Sequence, residues 1–449
     1  MERPDKKISV EIGHISIPIL LIILWILSLW SQPNLAFADQ EHPQAIRSGP
    51  DHPTVKKDDE KYHTPLAGEP LHLEFLGRSI DIPARDRGNE SFLEMGGSFY
   101  FPDMTDSTTI PLFALYIKRT WERARLRLVL SGIVNDGEAV RSFGKFELIG
   151  RFENYTNPFK ETGFRHNEEI KQSSVKWGTL SGFLGAGLRY PVSPYQVDND
   201  LRLQLFSRVG YLYSKRTGDT DSDVKLPPDT ILYGIKLRGR YDGIRRNLME
   251  LPHTGMAAGF DLDFVHRNKW ADHGNPYVRF RKGDSQDYFM LSGYALGAFG
   301  IPGLSEKNRI LTSLHGGLID KKGADRYNAF RLSGGSFAQE AYDLCRPNYP
   351  GALDTIVSEY LMVNLEYRRE LLPFLYLQLR GTFTWADRST VIGVNQIGFK
   401  GDSGQTASMA VTSGFFWNSQ LYIEYAWDTG FLRDGKPGSS LTFLWSKSF

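Results

Sequence analysis

The chain has 449 residues, of which 23% are charged and 13% aromatic, with a formal net charge of +1 and a mean hydropathy of −0.34. That balance excludes a strongly basic nucleic-acid binder, and past residue 38 every apolar run is broken by charges well short of the ~20 residues a membrane helix needs. The one cysteine, Cys345, leaves no internal disulfide to staple the fold.

The N-terminus carries Arg3, Lys6 and Lys7, then an apolar run over 17–30, then Leu35-Ala36-Phe37-Ala38. This order of basic, apolar and small residues reads as a secretory signal peptide over 1–38. The alternative is a permanent anchor, for which the run is short. Residues 39–69 are rich in Asp, Glu, Lys, His and Pro and read as a disordered periplasmic linker. His42, His52, His63 and His72 fall in or near it at spacings unlike zinc-ligand patterns, so no metal site is assigned.

From 70 to 449 the pattern is strand after strand at period two. Leu201, Leu203, Leu205, Val209 and Tyr211 alternate with Arg202, Gln204 and Arg208; Leu375, Leu377, Leu379 and Phe383 alternate with Gln378, Arg380 and Thr382. A soluble β-sandwich or β-helix would also alternate. Strands of ten residues or more favour a membrane, since ten tilted residues cover the ~25 Å apolar band of a transmembrane barrel. Trp385, Tyr425 and Trp427 near strand ends suit interfacial girdles. The expected fold is therefore all-β: a transmembrane antiparallel barrel of about sixteen strands, an even number as closure requires. The first strands are expected at about 71–82, 92–101, 110–118 and 123–133. Counted back from the C-terminus, short turns alternate with longer outer loops, among them 155–175, 319–353 and 386–405; the sixth, 319–353, is the longest.

Leu441, Phe443, Trp445 and Phe449 share one face of the last strand, and a terminal Phe there resembles the C-terminal signal read by barrel-assembly machinery during biogenesis. Loop 319–353 contains Phe330-Arg-Leu-Ser-Gly334-Gly335, then Glu340-Ala341-Tyr342; the following strand carries Leu365-Glu366-Tyr367-Arg368; and Pro252-His-Thr-Gly255 precedes an earlier strand. These segments resemble the barrel half of the superfamily of outer-membrane assembly factors, two-partner secretion transporters and surface antigens. The resemblance implies sixteen strands and a sixth outer loop folded into the lumen on Gly334, Gly335, Glu340 and Tyr342; strand parity supplies its candidate wall partners, Lys236, Arg238, Arg240, Glu366, Arg368 and Arg380. Glu340 and Ala341 stand where that family has arginine and glycine, so Glu340 is expected to pair with Lys236, Arg238, Arg240, Arg368 or Arg380. The family's Phe-x-Asp appears as Phe383-Thr-Trp385, with Asp387 two residues late. Residues 39–69 are too short for one of the polypeptide-transport-associated domains of assembly and secretion members.

By strand parity the lumen also receives Arg125, Arg127, Lys145, Glu147, Arg151, Glu153, Arg202, Arg208 and Glu424. Their cationic share suggests loop anchoring or attraction of anions. Gly401-Asp-Ser-Gly404 imitates a protease nucleophile motif, but it is expected in an outer loop without matching His and Asp segments. No catalytic residue and no cofactor is assigned. The expected function is protein or lipid insertion, or transport, at the bacterial outer membrane, with lipid as partner, a separate periplasmic protein as a further candidate partner, and no nucleic acid. The alternatives are a loop-plugged small-solute pore and a surface antigen or adhesin.

Overall fold

The computed structural model describes residues 62–449 apart from 76, 85, 102–108, 132, 157–159, 166–167, 193–198, 275–278, 321–322, 333–354, 393–395, 416–418 and 432–436. The expected signal peptide, most of the expected linker, Cys345 and the motif Gly334, Gly335, Glu340 and Tyr342 lie outside these residues. No helix among the described residues is long and apolar enough to cross a membrane.

Sixteen long strands close into one antiparallel ring. They are β1 (Glu90–Phe101), β2 (Thr109–Trp121), β3 (Ala124–Leu130), β4 (Val134–Phe143), β5 (Phe146–Thr156), β6 (Glu168–Pro191), β7 (Asp200–Arg216) and β8 (Thr230–Asp242), followed by β9 (Pro252–Arg267), β10 (Asp287–Gly300), β11 (Asn308–Ile319), β12 (Thr355–Leu372), β13 (Leu375–Ile392), β14 (Gln396–Phe415), β15 (Ser419–Asp428) and β16 (Gly438–Ser448). The ring shuts by pairing of β16 with β1, in register from Ser439↔Phe101 to Ser448↔Phe92. Closure leaves no open strand edge, the condition for crossing lipid with strands.

Three expectations are corrected. Residues 71–82 are not a barrel strand: they turn at Gly77 (φ +71°) and form their own two-stranded sheet, Leu71–Phe75 with Arg78–Ile82. Five residues a side are too few to span the apolar band. The count is restored by β4, which the alternation concealed because its outward face carries Gly137 and Ala139 rather than large apolar residues. The ring of Phe152, directly opposite on β5, covers Gly137 so closely that a Cβ there would sit 2.1 Å from it. A neighbouring strand thus supplies the apolar surface that β4 lacks. The loops expected at 155–175 and 386–405 are largely strand: β6 begins at Glu168, and β13 and β14 pair out to Ile392↔Gln396. Strands that extend into water need no apolar face, so period two fades while the backbone pairing continues.

Outward-facing side chains are apolar along the middle of the strands, with Leu184, Val209 and Ile235 63%, 58% and 58% exposed. Trp121, Phe143, Phe146 and Tyr190 mark one edge of this band, and Tyr211, Tyr233, Tyr425 and Trp427 stand toward the other. Leu184 lies opposite Gly150 and Ser207, the middles of β5 and β7. Leu184→Arg is expected to cost about 2–4 kcal/mol, the penalty of a cation at the lipid midplane. Urea unfolding in lipid vesicles would measure it, and a loss below ~0.5 kcal/mol would mean that this face is not in lipid.

Candidate functional site in the barrel lumen

Many inward-facing residues on β3 to β9 are charged, and cross-strand registry sets who meets whom. Lys236 and Arg238 on β8 lie opposite Asp263 and Asp261 on β9. Lys236 Nζ stands 3.3 Å from Asp263 and 3.6 Å from Asp261, while Arg240 Nη2 reaches Asp261 at 2.9 Å. Arg238 Nη1 donates across the lumen to Glu138 of β4 at 2.9 Å. Asp136 of β4 accepts from Arg127 at 2.9 Å and Arg151 at 3.0 Å, and Arg125 meets Glu147 at 2.6 Å.

A second cluster lies on β12 and β13. Glu366, directly opposite Arg380, binds Arg380 Nη2 at 2.8 Å and Arg368 Nη2 at 2.6 Å. Arg368 Nη1 also donates to the carbonyl of Pro252 at the start of β9. The Glu-Tyr-Arg strand and the Pro-His-Thr-Gly turn therefore touch. Gly255 of that turn has φ +109°, and a Cβ on it would come within 2.2 Å of the Gly243 carbonyl, so the position needs glycine.

All six expected wall residues thus face inward, in two groups. Lys145 does not: it is exposed in the turn between β4 and β5, over the Tyr190 ring at 4.7 Å. The carboxylates Asp136, Glu138, Asp261 and Asp263 were missed by sequence reading, although Asp261-Leu-Asp263 holds the same parity as the cations it neutralises. Gly401-Asp-Ser-Gly404 is strand, not loop, paired with 384–387 of β13. Phe443 and Trp445 point outward on β16, and Phe449 N–H donates to the Ser91 carbonyl of the adjoining strand.

Both mouths carry chain segments that cross the ring. At the end away from the termini, Phe330–Leu332 pairs with 355–357 of β12. Its Arg331 reaches Glu161, beside β6, at 2.6 Å and lies over the rings of Tyr155 and Trp177. Just before it, Asp325 forms an ion pair with Arg267 of β9 at 2.5 Å, both side chains fully buried. Tyr327 packs with Trp177, Leu212, Leu232, Val265, Trp270 and Tyr288, an apolar plug built on inward positions. His273, in the connection between β9 and β10, packs on Trp270 and Tyr327, and burial holds its imidazole below its ordinary range.

At the opposite end the β8–β9 connection, 243–251, folds across the opening. Met249 and Leu251 pack on Tyr376 and Phe374, four strands further round the ring. Glu250, with φ +60°, is held by Arg87 through a 2.6 Å ion pair. Residues 64–67, the end of the expected linker, bind this cap through Leu248 N–H to Pro65 O (3.0 Å) and Ala67 N–H to Arg246 O (2.9 Å). Between the two caps lies a cavity of about 450 Å³, lined from Arg246 and Asp242 to Phe330 and Arg331.

No family model and no curated protein matches the chain. Among solved structures it is similar to CdiB from Acinetobacter baumannii, at 10% identity and a TM-score of 0.47, over 86% of this chain and 66% of that one. It is similar to BamA from Haemophilus ducreyi lacking POTRA domains 1–3, at 11% identity and a TM-score of 0.47, over 85% and 75%. It is also similar to the Pseudomonas putida toluene transporter TodX, at 7% identity and a TM-score of 0.33, over 81% and 90%. The chain spans just under two thirds of the length of CdiB. A closed ring of sixteen strands, an apolar girdle edged by aromatics and a charged interior make this chain a transmembrane β-barrel of the bacterial outer membrane.

Proposed function

We propose that the chain acts in transport or insertion at the outer membrane as a self-plugged barrel, without catalysis of its own. The observation that carries this reading is the inward course of the connection after β11, which is anchored by Asp325 on Arg267 and by Arg331 on Glu161. A passive pore needs a standing water path, and the cap over 243–251 covers the other opening as well. The position of the plug, after the eleventh strand, agrees with the resemblance carried by Glu366, Arg368 and Gly255.

The expected result in planar bilayers is a low, flickering conductance for the intact chain. Replacing 320–354 by a short Gly-Ser link should give large, steady channels. Steady high conductance of the intact chain would favour the small-solute pore. Loss of cell or surface binding on trimming the outer connections, with conductance unchanged, would favour the adhesin.

A further inference from the structure

The cavity between the caps has a composition that gating does not require. Eleven basic side chains line it against five acidic ones. Four further carboxylates, Glu147, Asp200, Glu161 and Asp263, stand behind the wall on Arg125, Arg202, Arg331 and Lys236, and the excess remains positive. It concentrates on β7 and β8. Arg208 donates only to the Ser181 hydroxyl, at 2.9 and 3.1 Å, and has no carboxylate within 4.0 Å among the described residues. Arg238 is 6% exposed, uses Nη1 on Glu138 and has Asp261 3.8 Å from Nε, yet among the described residues its Nη2 has no hydrogen-bond partner. Lys236 lies between them, and Lys236 and Arg208 flank the Phe183 ring at 6.0 and 5.5 Å. A buried guanidinium N–H without an acceptor is costly; Lys236 is shared with Asp261 and Asp263, so the donors left over belong to Arg208 and Arg238, which line the same cavity.

We propose that this cavity is a binding site for a small, multiply charged oxyanion of the phosphate or phosphate-ester class, held by Arg208 and Arg238 with Lys236 between them. The volume falls within the ~300–1,000 Å³ range of small-molecule sites and suits a ligand of pyrophosphate or sugar-phosphate size. Guanidinium groups favour planar, bidentate contacts to such oxygens. Arg331, one of the two plug anchors, is part of the lining, but Arg208 and Arg238 meet Ser181 and Glu138 rather than an anchor, so variants there test the site separately from the gating proposal.

The test is calorimetric titration of the full chain, refolded in detergent micelles at low salt, with sodium pyrophosphate. Saturable binding of one equivalent is expected. Arg208→Gln strands no carboxylate and so should fold; it is expected to weaken binding at least tenfold. Glu138→Gln removes the charge that competes for Arg238 and should tighten binding several-fold. Absence of saturable binding to the folded chain, affinity unchanged in both variants, or equal binding of uncharged glucose would each overturn the proposal.

Discussion

Replacing Asp325 by alanine is expected to free the connection after β11 from the wall and to cost about 3–5 kcal/mol, the penalty for leaving a buried charge without its partner. Arg267, fully buried between the rings of Trp270 (4.0 Å) and Tyr288 (4.7 Å), has no route to water without disrupting the plug. Asp325 also accepts the Tyr327 N–H at 2.8 Å, so the same change loosens the turn that presents Tyr327 to the apolar cluster. Two readouts follow: a lower urea midpoint and new trypsin cleavage near Arg326 and Arg331. Arg267→Met combined with Asp325→Leu should recover part of the stability, because the stranded charge is gone, but not all of it, because the Tyr327 N–H still lacks its acceptor. Full recovery would reduce Asp325 to an ion-pair partner alone. His273 adds a pH dependence of known sign. Burial lowers its pKa, with Arg267 and Arg326 acting the same way against Asp325. A depressed folded value means that its contribution is fully present above the ordinary value of 6.5 and is lost as pH falls from there toward the folded value. Acid should therefore increase cleavage at the plug, and His273→Gln should flatten that dependence.

Much of this architecture is legible in period two. Leu201 to Tyr211 face outward and Arg202 to Arg208 inward, as their alternation implies, because a barrel wall with lipid on one side and water on the other enforces one side for each parity. The position of the longest connection after the eleventh strand follows from alternating turn lengths. The same physics explains the losses. On β4, Gly137 relies on Phe152 of another strand, and a single-strand pattern cannot register apolar cover supplied from outside. On β13 and β14 the stretch 386–405 carries Asp387, Arg388, Lys400 and Asp402 in place of an alternating apolar face, so it reads as loop although it pairs. The cation parity of Lys236, Arg238 and Arg240 was readable, but their satisfaction by Asp261, Asp263 and Glu138 depends on registry between strands. The cap over 243–251 depends on Met249 meeting Tyr376, distant in sequence and across the ring, and nothing local in Asn247-Leu-Met-Glu-Leu251 announces it.

Glu366→Ala should be the most damaging single change on the wall of β12 and β13, again about 3–5 kcal/mol. The carboxylate is shared: Oε1 takes Arg368 Nε at 2.8 Å, and Oε2 takes Arg380 Nε at 3.1 Å and Nη2 at 2.8 Å. Without it, Arg368 and Arg380 lose the buried carboxylate they share; among the described residues, Glu424 lies 3.9 Å from Arg380 Nη1. The loss should also travel. Arg368 is the group that reaches the Pro252 carbonyl, and Pro252 closes the 243–251 cap, so that segment should exchange its amide hydrogens faster in the variant than in the parent chain. Glu366→Gln keeps one acceptor oxygen, loses the charge and turns an N–H donor toward one of the two guanidinium groups, so it should recover only part of the loss. Removing one cation along with the charge, as Glu366→Gln with Arg380→Gln, should be less harmful than Glu366→Ala alone, because only Arg368 is left to satisfy and the Pro252 carbonyl already takes one of its donors. The temperature at which unboiled gel mobility shifts to the unfolded position would rank the variants. If Glu366→Ala costs under ~1 kcal/mol, water in the lumen solvates Arg368 and Arg380 as well as the carboxylate does, and the cluster is a wetted wall rather than a clamp between β12, β13 and the turn that precedes β9.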